Sequence, residues 1–369
     1  MEIIHNTAKA RLIAFYLPQF HPIPENDKWW GKGFTEWTNV TKAKPLFKGH
    51  KQPKLPSELG FYDLRIPEVR TQQADLARSH GIEGFCYWHY WFGKGKKILD
   101  RPFNEVVTSG SPDFPFCLAW ANTSWEGTWY GGSNGVLFKQ TYPGILDYED
   151  HFYSLLPAFE DNRYIKIDGK ILFTVMLPNS VPDFDKFVET WENLAVKNGL
   201  SGFYFNGFQN GDKTLKSGLN SALNYGGTPR SIYNAVTHPL KYRFLNNPRI
   251  RKILNRPKIV RYGDFINAAL PEINSFQYPN FPVIYANWDN TPRASTDGVV
   301  FTHFSLDLFR KYLLRAIDYV SKYDFEEKVI FIKSWNEWAE GNYLEPDQEF
   351  GRAYLEVIRD ELNNYNKLT

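Results

Sequence analysis

Residues 328–341, KVIFIKSWNEWAEG, contain an apolar run followed at once by two tryptophans and two glutamates. The apolar part predicts a buried β-strand, because a parallel strand covered on both faces is a continuous apolar run. Glu337 and Glu340 follow where this strand should end. Their side chains reach the same side only if the chain bends like a helix after Trp335, and Gly341 favours such a turn.

Apolar strand-like runs alternate with helix-like segments along the rest of the chain. The predicted strands are residues 12–20, 84–90, 114–121, 171–177, 202–208, 222–225, 283–287 and 329–334. The predicted helices include 67–80, 98–108, 148–160, 184–198, 306–322 and 351–363. Eight such units indicate an α/β protein, a (β/α)8 TIM barrel with long βα loops. No linker divides the chain, so we expect a single domain over residues 1–369.

Composition excludes several classes of function. A net charge of only +2 gives no electrostatic argument for nucleic acid, and no glycine-rich nucleotide-binding motif follows a strand. Aromatic residues make up 17% of the chain, which fits an aromatic-lined cleft or an aromatic-rich core. Cys86 and Cys117 lie in apolar runs and are expected to be buried free thiols. Without a recognisable leader or membrane span, we expect a cytoplasmic location.

A pair of carboxyl groups between tryptophans suits the making or breaking of glycosidic bonds. One carboxyl must hold a proton to act as an acid, and surrounding indole raises its pKa toward that task. Aromatic faces also stack on sugar rings. Glu337 and Glu340 are therefore the predicted catalytic residues. The alternative is that both are ordinary surface glutamates in a turn.

Other candidate residues are polar or aromatic and follow the predicted strands or belong to the loop after the first one. Because barrel enzymes carry their chemistry at the carboxyl ends of the strands, we expect these side chains to bind substrate. They are Tyr16, Gln19, Glu36, Trp37, Tyr87, His89, Trp91, Trp120, Asn122, Glu126, Asn206, Trp288, Asp289, Asn336, Trp338 and Glu345.

Some of these candidates have more than one interpretation. The loop that carries Glu36 and Trp37 either covers the substrate or is pinned to the barrel by its tryptophans. His89 either bonds a sugar hydroxyl or is structural, and no cluster with metal-ligand spacing surrounds it. Asp289 and Glu126 could replace one member of the glutamate pair, although a positioning role is favoured. We expect no metal and no cofactor.

Residues 228–263 contain nine lysines and arginines but no acidic residue. Arg249, Arg251, Lys252 and Arg256 could form a cationic face toward an anionic membrane surface or a lipid-linked glycan. The enzyme would then be peripheral at the inner membrane. The alternative is a solvated basic insertion.

Four stretches resemble one known family. They are 14–20 (AFYLPQF), 33–39 (GFTEWTN), 84–91 (GFCYWHYW) and 335–341 (WNEWAEG), and they resemble the WbsX-type glycosyltransferases of polysaccharide gene clusters. That family is similar to the endo-α-mannosidases of glycoside hydrolase family 99, most clearly in residues 336–341 and in Glu345 and Pro346. The resemblance implies a (β/α)8 barrel. It also implies that Glu337 is a base on the sugar 2-hydroxyl and Glu340 the general acid/base, with an epoxide-like intermediate and net retention.

These observations predict a carbohydrate-active enzyme of bacterial surface-polysaccharide metabolism. It would cleave or transfer a glycosidic bond of an oligosaccharide or polysaccharide with retention. One alternative is a glycosyltransferase that uses an activated sugar donor. Another is a catalytically silent barrel that only binds glycans.

Overall fold

In a computed structural model of the protein, the described residues are 10–126, 135–209, 214–224, 244–270 and 276–365. Within them the chain forms one closed barrel of eight parallel strands, with helices between the strands. The predicted (β/α)8 barrel is therefore confirmed. No helix among these residues is both long and apolar enough to cross a membrane.

The eight barrel strands lie in the ring in their sequence order. They are β1 (Arg11–Tyr16), β2 (Gly84–Trp91), β3 (Phe116–Trp120), β4 (Lys170–Val175), β5 (Phe203–Phe208), β6 (Ser221–Asn224), β7 (Asn280–Ile284) and β8 (Val329–Ile332). Each is parallel to its two neighbours, and β1 closes the ring by pairing with both β2 and β8. The carboxyl ends of all eight strands thus meet at one rim.

Eleven α-helices are found in the described residues. They are α1 (Pro24–Trp30), α2 (Glu36–Lys42), α3 (Pro67–Arg78), α4 (Arg101–Ser109), α5 (Ile145–Phe159), α6 (Phe184–Lys197), α7 (Pro248–Leu254), α8 (Tyr262–Ala269), α9 (Thr291–Ala294), α10 (Leu306–Val320) and α11 (Ala353–Tyr365). The longer helices coincide with the predicted ones to within a few residues. The short α1, α2 and α9 lie in long loops after β1 and β7.

Short paired strands occur outside the barrel. Lys258–Arg261 lies parallel to Val299–Thr302, and Trp125–Glu126 pairs with Val136–Phe138. Lys97–Ile98 pairs with the end of β2, and Lys166–Ile167 pairs with β4. The described part of the basic segment, residues 244–263, contains α7 and the strand Lys258–Arg261. Residues 228–243 of that segment lie outside the described residues.

Alternate residues of the strands fill the barrel interior. Phe15, Trp88, Phe208 and Phe331 form a stacked aromatic layer inside the ring, with ring centroids 4.8–6.3 Å apart. Below it, Cys86 lies opposite Cys117 in the β2–β3 register, and both are buried free thiols as predicted. This layer makes the interior a packed core and leaves the rim for polar groups.

A second layer of aromatic residues lies between the strands and the outer helices. The Trp191 ring of α6 packs on Phe173 of β4 and Phe203 of β5, and its indole nitrogen donates to the carbonyl of Tyr148. His151 of α5 stacks on Trp91 of β2. Much of the high aromatic content is therefore core packing.

Candidate active site

A tight turn after β8 places the two glutamates of the motif. Asn336–Glu337 pairs antiparallel with Asn342–Tyr343, and a 3-10 turn, Trp338–Glu340, connects them. Gly341 ends the turn at φ 55°, which L side chains rarely adopt. A Cβ there would lie 2.8 Å from the Cβ of Asp289. The helix-like bend predicted from the sequence is thus present.

One arginine joins three carboxylates at this turn. Arg293 Nη1 donates to Glu340 Oε1 at 2.7 Å, and Nη2 donates to Glu337 Oε2 at 2.9 Å. Arg293 Nε donates to Glu36 Oε2 at 3.2 Å. Glu337 and Glu340 therefore face the same space despite lying in different parts of the turn. The three side chains are at most 14% exposed, so water screens these charges weakly.

Lys333, the first residue after β8, is the second cation of the cluster. Its Nζ lies 3.5 Å from Glu340 Oε2 and 4.0 Å from Glu337 Oε1. The ammonium also lies about 6 Å from the rings of Trp88 and Trp288. The cluster thus holds three carboxylates and two cations, and it becomes neutral when one carboxyl is protonated.

Burial has the largest effect on the pKa of Glu337. Loss of hydration is the main reason why the pKa of Glu337 rises to about 7, and the Glu340 carboxylate raises it further. Arg293 and Lys333 act in the opposite direction. With a pKa of about 7, the Glu337 carboxyl is present in both its protonated and its ionised form near neutral pH. A carboxyl group that titrates near pH 7 can serve in proton transfer at physiological pH.

The cause of this shift gives a test that needs no substrate. In a carboxyl-carbon NMR titration, Glu337 should titrate near pH 7. Lys333→Gln should move the midpoint to higher pH, because Lys333 stabilises the charged form. Glu36→Gln should move it to lower pH, because the Glu36 carboxylate disfavours that form. A Glu337 midpoint near the ordinary 4.5 in the parent protein would contradict the assignment.

The same shift has a consequence for stability. Between pH 4.5 and about 7 the folded protein holds a proton on Glu337 that the unfolded chain has already released. The contribution of Glu337 to the free energy of unfolding is therefore largest below pH 4.5. It is lost as the pH rises through about 7.

Aromatic side chains lead away from the carboxylates along the rim. Tyr90, at the end of β2, is buried, and the nearby Glu337 carboxylate adds to the effect of burial in raising the Tyr90 pKa. Its ring lies 5.4 Å from that of Trp125, which lies 6.0 Å from that of Trp29 on α1. This row offers faces on which sugar rings can stack.

Five predicted substrate-binding residues face the outer helices instead of the rim. The Tyr16 hydroxyl donates to Gln73 of α3, and Tyr87 packs on Phe103 of α4. The others pack around His151 of α5. They are His89, whose Nε2 lies 2.8 Å from His151 Nε2, Trp91, which stacks on that ring, and Trp120, which packs edge-on against it.

Four further candidates, Glu345, Asn336, Trp37 and Trp338, belong to the Glu337–Glu340 turn or support it. Glu345 is fully buried and accepts hydrogen bonds from Trp338 Nε1, Gln73 and Tyr62. Burial raises the pKa of Glu345 to about 7. Asn336 bonds both backbone groups of Leu17, which ties the turn to β1. Trp37 packs on Trp338, so its loop is pinned to the barrel.

Asp289 orders the segment that carries Arg293. Its Oδ1 accepts from the amide and hydroxyl of Thr291 at the start of α9, and its Oδ2 accepts from His50 and Gln52. The Asp289 amide donates to the Glu340 carbonyl at 2.6 Å. Asp289 thus links the Glu337–Glu340 turn to the segment that carries Arg293.

The remaining candidates are spread around the barrel. Asn206 is fully buried inside it, below the aromatic layer, and Asn122 bonds both backbone groups of Leu177. Gln19 is buried, and its main-chain carbonyl accepts a hydrogen bond from the main-chain amide of Glu36. Glu126 is exposed at the rim beside Trp125. Glu36 lies with the glutamate pair because all three carboxylates contact Arg293. Trp288 lies near the pair because Lys333, which contacts both glutamates, is about 6 Å from its ring.

Sequence reasoning missed Arg293 and Lys333. Lys333 had a usable signal, because it lies at the carboxyl end of a barrel strand, four residues before Glu337. Arg293 lies 44 residues from Glu337 and 257 from Glu36, and no local pattern marks it.

Fold and site together define the class: a (β/α)8 barrel with a glutamate cluster at the carboxyl ends of its strands. Residues 12–358 match the family model described as glycosyltransferase WbsX, and the chain belongs to that family. The resemblance seen in the sequence is thereby confirmed.

Relatives with this sequence pattern occur in Xanthomonas campestris pv. campestris. An uncharacterized protein WxcX from strain ATCC 33913 is 36% identical over 361 residues, covering 96% of this chain and 50% of the relative. The WxcX protein of strain B100 is equally similar. The chain thus spans about half the length of the curated relatives that it matches.

Solved structures share the fold at low sequence identity. A glycoside hydrolase-like protein has a TM-score of 0.62 at 14% identity, with 98% of this chain and 96% of that one covered. A GH99 endo-alpha-mannosidase from Bacteroides thetaiotaomicron, in complex with BIS-TRIS-propane, has a TM-score of 0.55 at 14% identity. The structural match covers 97% of this chain and 99% of the mannosidase chain. At such identities the likeness concerns the fold alone.

Proposed function

We propose that this barrel cleaves or transfers a glycosidic bond of a bacterial surface glycan with retention of configuration. The observation that carries the proposal is the convergence of Glu337 and Glu340 on one guanidinium at the rim of the barrel. Family membership and the fold shared with a GH99 endo-alpha-mannosidase support a carbohydrate-active enzyme. The pKa of about 7 at Glu337 supports a role in proton transfer.

The reaction starts from the form of the cluster in which Glu337 is ionised and the proton lies on Glu340. In the first step, the Glu337 carboxylate removes the proton from the sugar 2-hydroxyl. The freed oxygen attacks the anomeric carbon, and the bond from that carbon to the leaving oxygen breaks. Glu340 gives its proton to the leaving oxygen, so no alkoxide is released. Arg293 contacts both carboxylates and fixes the geometry between them.

In the second step, water or an acceptor hydroxyl opens the three-membered ring at the anomeric carbon. Glu340 takes the proton of the incoming oxygen, and Glu337 returns its proton to the 2-oxygen. Two displacements at the same carbon give net retention. Water as the second nucleophile gives hydrolysis, and a sugar hydroxyl gives transfer.

Product stereochemistry tests this proposal. Incubation with a panel of defined oligosaccharides should give a product whose first-formed anomer, followed by proton NMR, has the configuration of the substrate. An inverted first product excludes the mechanism. A glycan that binds without turnover, equally well in the parent and in Glu340→Gln, identifies a silent binding barrel instead.

The family description favours one second candidate, a glycosyltransferase that uses an activated sugar donor. Such an enzyme consumes a nucleotide-linked or lipid-linked sugar and leaves finished polymer intact. Parallel incubations with these donors and with polymer separate it from the leading proposal.

We further propose that α7 meets an anionic membrane surface or a lipid-linked glycan. Arg249 and Lys252 are exposed beside the exposed apolar side chains of Ile253 and Leu254. Arg251 and Arg256 are half-buried and serve the local fold, since Arg251 donates to the Thr296 carbonyl and Arg256 lies over the Phe47 ring. The contact would therefore depend on Arg249 and Lys252.

Vesicle co-sedimentation tests this surface. The protein should bind vesicles that contain anionic lipid at low salt, and binding should weaken as the salt rises. The pair Arg249→Gln and Lys252→Gln should remove most of the binding, because each such charge contributes about 1 kcal/mol near an anionic surface. Replacing Lys186 and Lys197 of α6 by Gln is the matched control. If the parent protein does not bind anionic vesicles at low salt, the basic segment is only a solvated insertion.

A further inference from the structure

A cavity of about 420 Å³ opens at the rim, separate from the carboxylate cluster. Lys28 of α1, Lys94 and Lys96 of the loop after β2, and Lys139 after the Val136–Phe138 strand all line it. Three separate segments of the chain thus bring four exposed lysines to one cavity. Among the described residues that line it, Glu25 is the only carboxylate.

These lysines are not used for internal ion pairs. Within the described ranges, none of the four ammonium groups lies within 4.0 Å of a carboxylate oxygen, although the neighbouring Lys97 does pair with Asp100. The Asp147 carboxylate under the loop is occupied by the Lys94 amide and by Trp91 Nε1. The cavity therefore has an excess of positive charge that a bound anion could neutralise.

The loop that carries two of the lysines is held in a fixed shape. Thr141 donates from its amide and its hydroxyl to the Phe92 carbonyl. Gly93 has φ 86°, and a Cβ there would lie 2.5 Å from Thr141 Oγ1, so the loop closes tightly on that residue. A loop fixed in advance loses little entropy when a ligand binds.

An aromatic row connects this cavity to the carboxylates. Trp29, Phe92 and Phe138 line the cavity, and the Trp29 and Phe138 rings are 5.3 Å apart. On its other side Trp29 lies beside Trp125, which lies beside Tyr90 at the glutamate cluster. A glycan bound at the cluster can continue along these faces into the cavity.

We propose that the cavity binds an anionic group of the glycan substrate, a carboxylate or a phosphate, at a distance from the bond that reacts. The enzyme would then select acidic glycans or glycans attached to phosphate. This inference rests on the proposed function for the identity of the ligand. The cavity itself is tested by binding alone.

Calorimetric titration with three probes tests the cavity. The probes are a tetrasaccharide of glucuronic acid, a neutral glucose tetrasaccharide of the same linkage, and inorganic pyrophosphate. At low salt the acidic tetrasaccharide or pyrophosphate should bind at least about tenfold more tightly than the neutral probe, as expected from several weak charge contacts. Binding of the acidic tetrasaccharide identifies a carboxylate ligand, and binding of pyrophosphate alone identifies a phosphate.

Two variants with opposite expectations complete the test. Replacement of Lys28, Lys94, Lys96 and Lys139 by Gln should abolish the preference for the anionic probe. Glu25→Gln should strengthen anion binding severalfold, because it removes the carboxylate that repels the anion. A protein that failed to fold could not show this gain. The control is a variant in which Lys186, Lys197 and Lys311, exposed lysines that do not line the cavity, are replaced by Gln.

The outcomes separate the two proposals. If no anionic probe binds more tightly than the neutral one, or if the fourfold variant keeps the preference, the cavity assignment is wrong even where glycan turnover is found. If binding depends on the four lysines but no glycan is turned over, the cavity stands and the proposed function fails.

Discussion

Glu337→Gln and Glu340→Gln should each lower turnover by a factor of about 10² to 10⁴, the usual contribution of a general acid or base. The amide keeps the shape of the side chain but cannot exchange a proton in the required way. Both variants should fold. At pH 8 the parent cluster holds three carboxylates against two cations, so removing one negative charge should not destabilise it. Steady-state rates at pH 7 and thermal unfolding at pH 8 measure the two effects separately.

A substrate with an activated leaving group distinguishes the two roles. A nitrophenyl leaving group departs without protonation, so it should restore much of the first-step rate in Glu340→Gln. It should not do so in Glu337→Gln, because the 2-hydroxyl still needs a base. The exposed Glu68→Gln on α3 is the matched control and should behave like the parent protein. Near-parental activity of either active-site variant on the natural substrate removes that residue from the mechanism.

Arg293→Met should lower the free energy of unfolding by about 3–5 kcal/mol at pH 8, the usual cost of leaving buried charges without their partner. Arg293 is 9% exposed and contacts Glu36, Glu337 and Glu340. Its loss should raise the pKa of Glu337 further, since the guanidinium favours the charged form. Turnover should fall as well, because the geometry between the two catalytic carboxylates is no longer fixed.

The pH dependence of this loss identifies its cause. Glu337, whose pKa is raised, is protonated as the pH falls, and its repulsion of the neighbouring carboxylates then disappears. Chemical denaturation should therefore show a smaller difference between Arg293→Met and the parent at pH 5 than at pH 8. Arg65→Met removes an exposed pair with Asp63 and should cost about 1 kcal/mol or less. An Arg293→Met loss equal at both pH values would indicate lost packing instead of unpaired charge.

The sequence predicted the barrel well because each strand is a local signal. Several strands are continuous apolar runs bounded by polar or turn residues, and the alternation with helix-like segments marked all eight, although β6 was a weak signal. The Glu337–Glu340 turn was also a local prediction, since it depends on a strand end, a short bend and Gly341. The strand end, the bend and Gly341 all lie within residues 332–341, so this turn could be predicted without knowledge of distant contacts.

The direction of each side chain was harder to predict. In β2, GFCYWHYW, all eight residues are buried, so no alternation of polar and apolar residues shows which face looks inward. The closed barrel directs Trp88 and Tyr90 inward and toward the rim, and it directs His89 and Trp91 toward α5. Candidates on both faces were therefore selected together, although only one face reaches the glutamate cluster.

The sequence by itself determined the eightfold order of strands and the position of the glutamate pair. The tertiary structure alone decided which charges surround that pair. Arg293 reaches Glu36 across 257 residues of chain and Glu340 across 47, by way of a loop that Asp289 orders. Contacts at such separations arise only when the barrel closes and brings strand ends together. The pKa of Glu337 depends on burial and on those neighbours, so it too is determined by the tertiary structure.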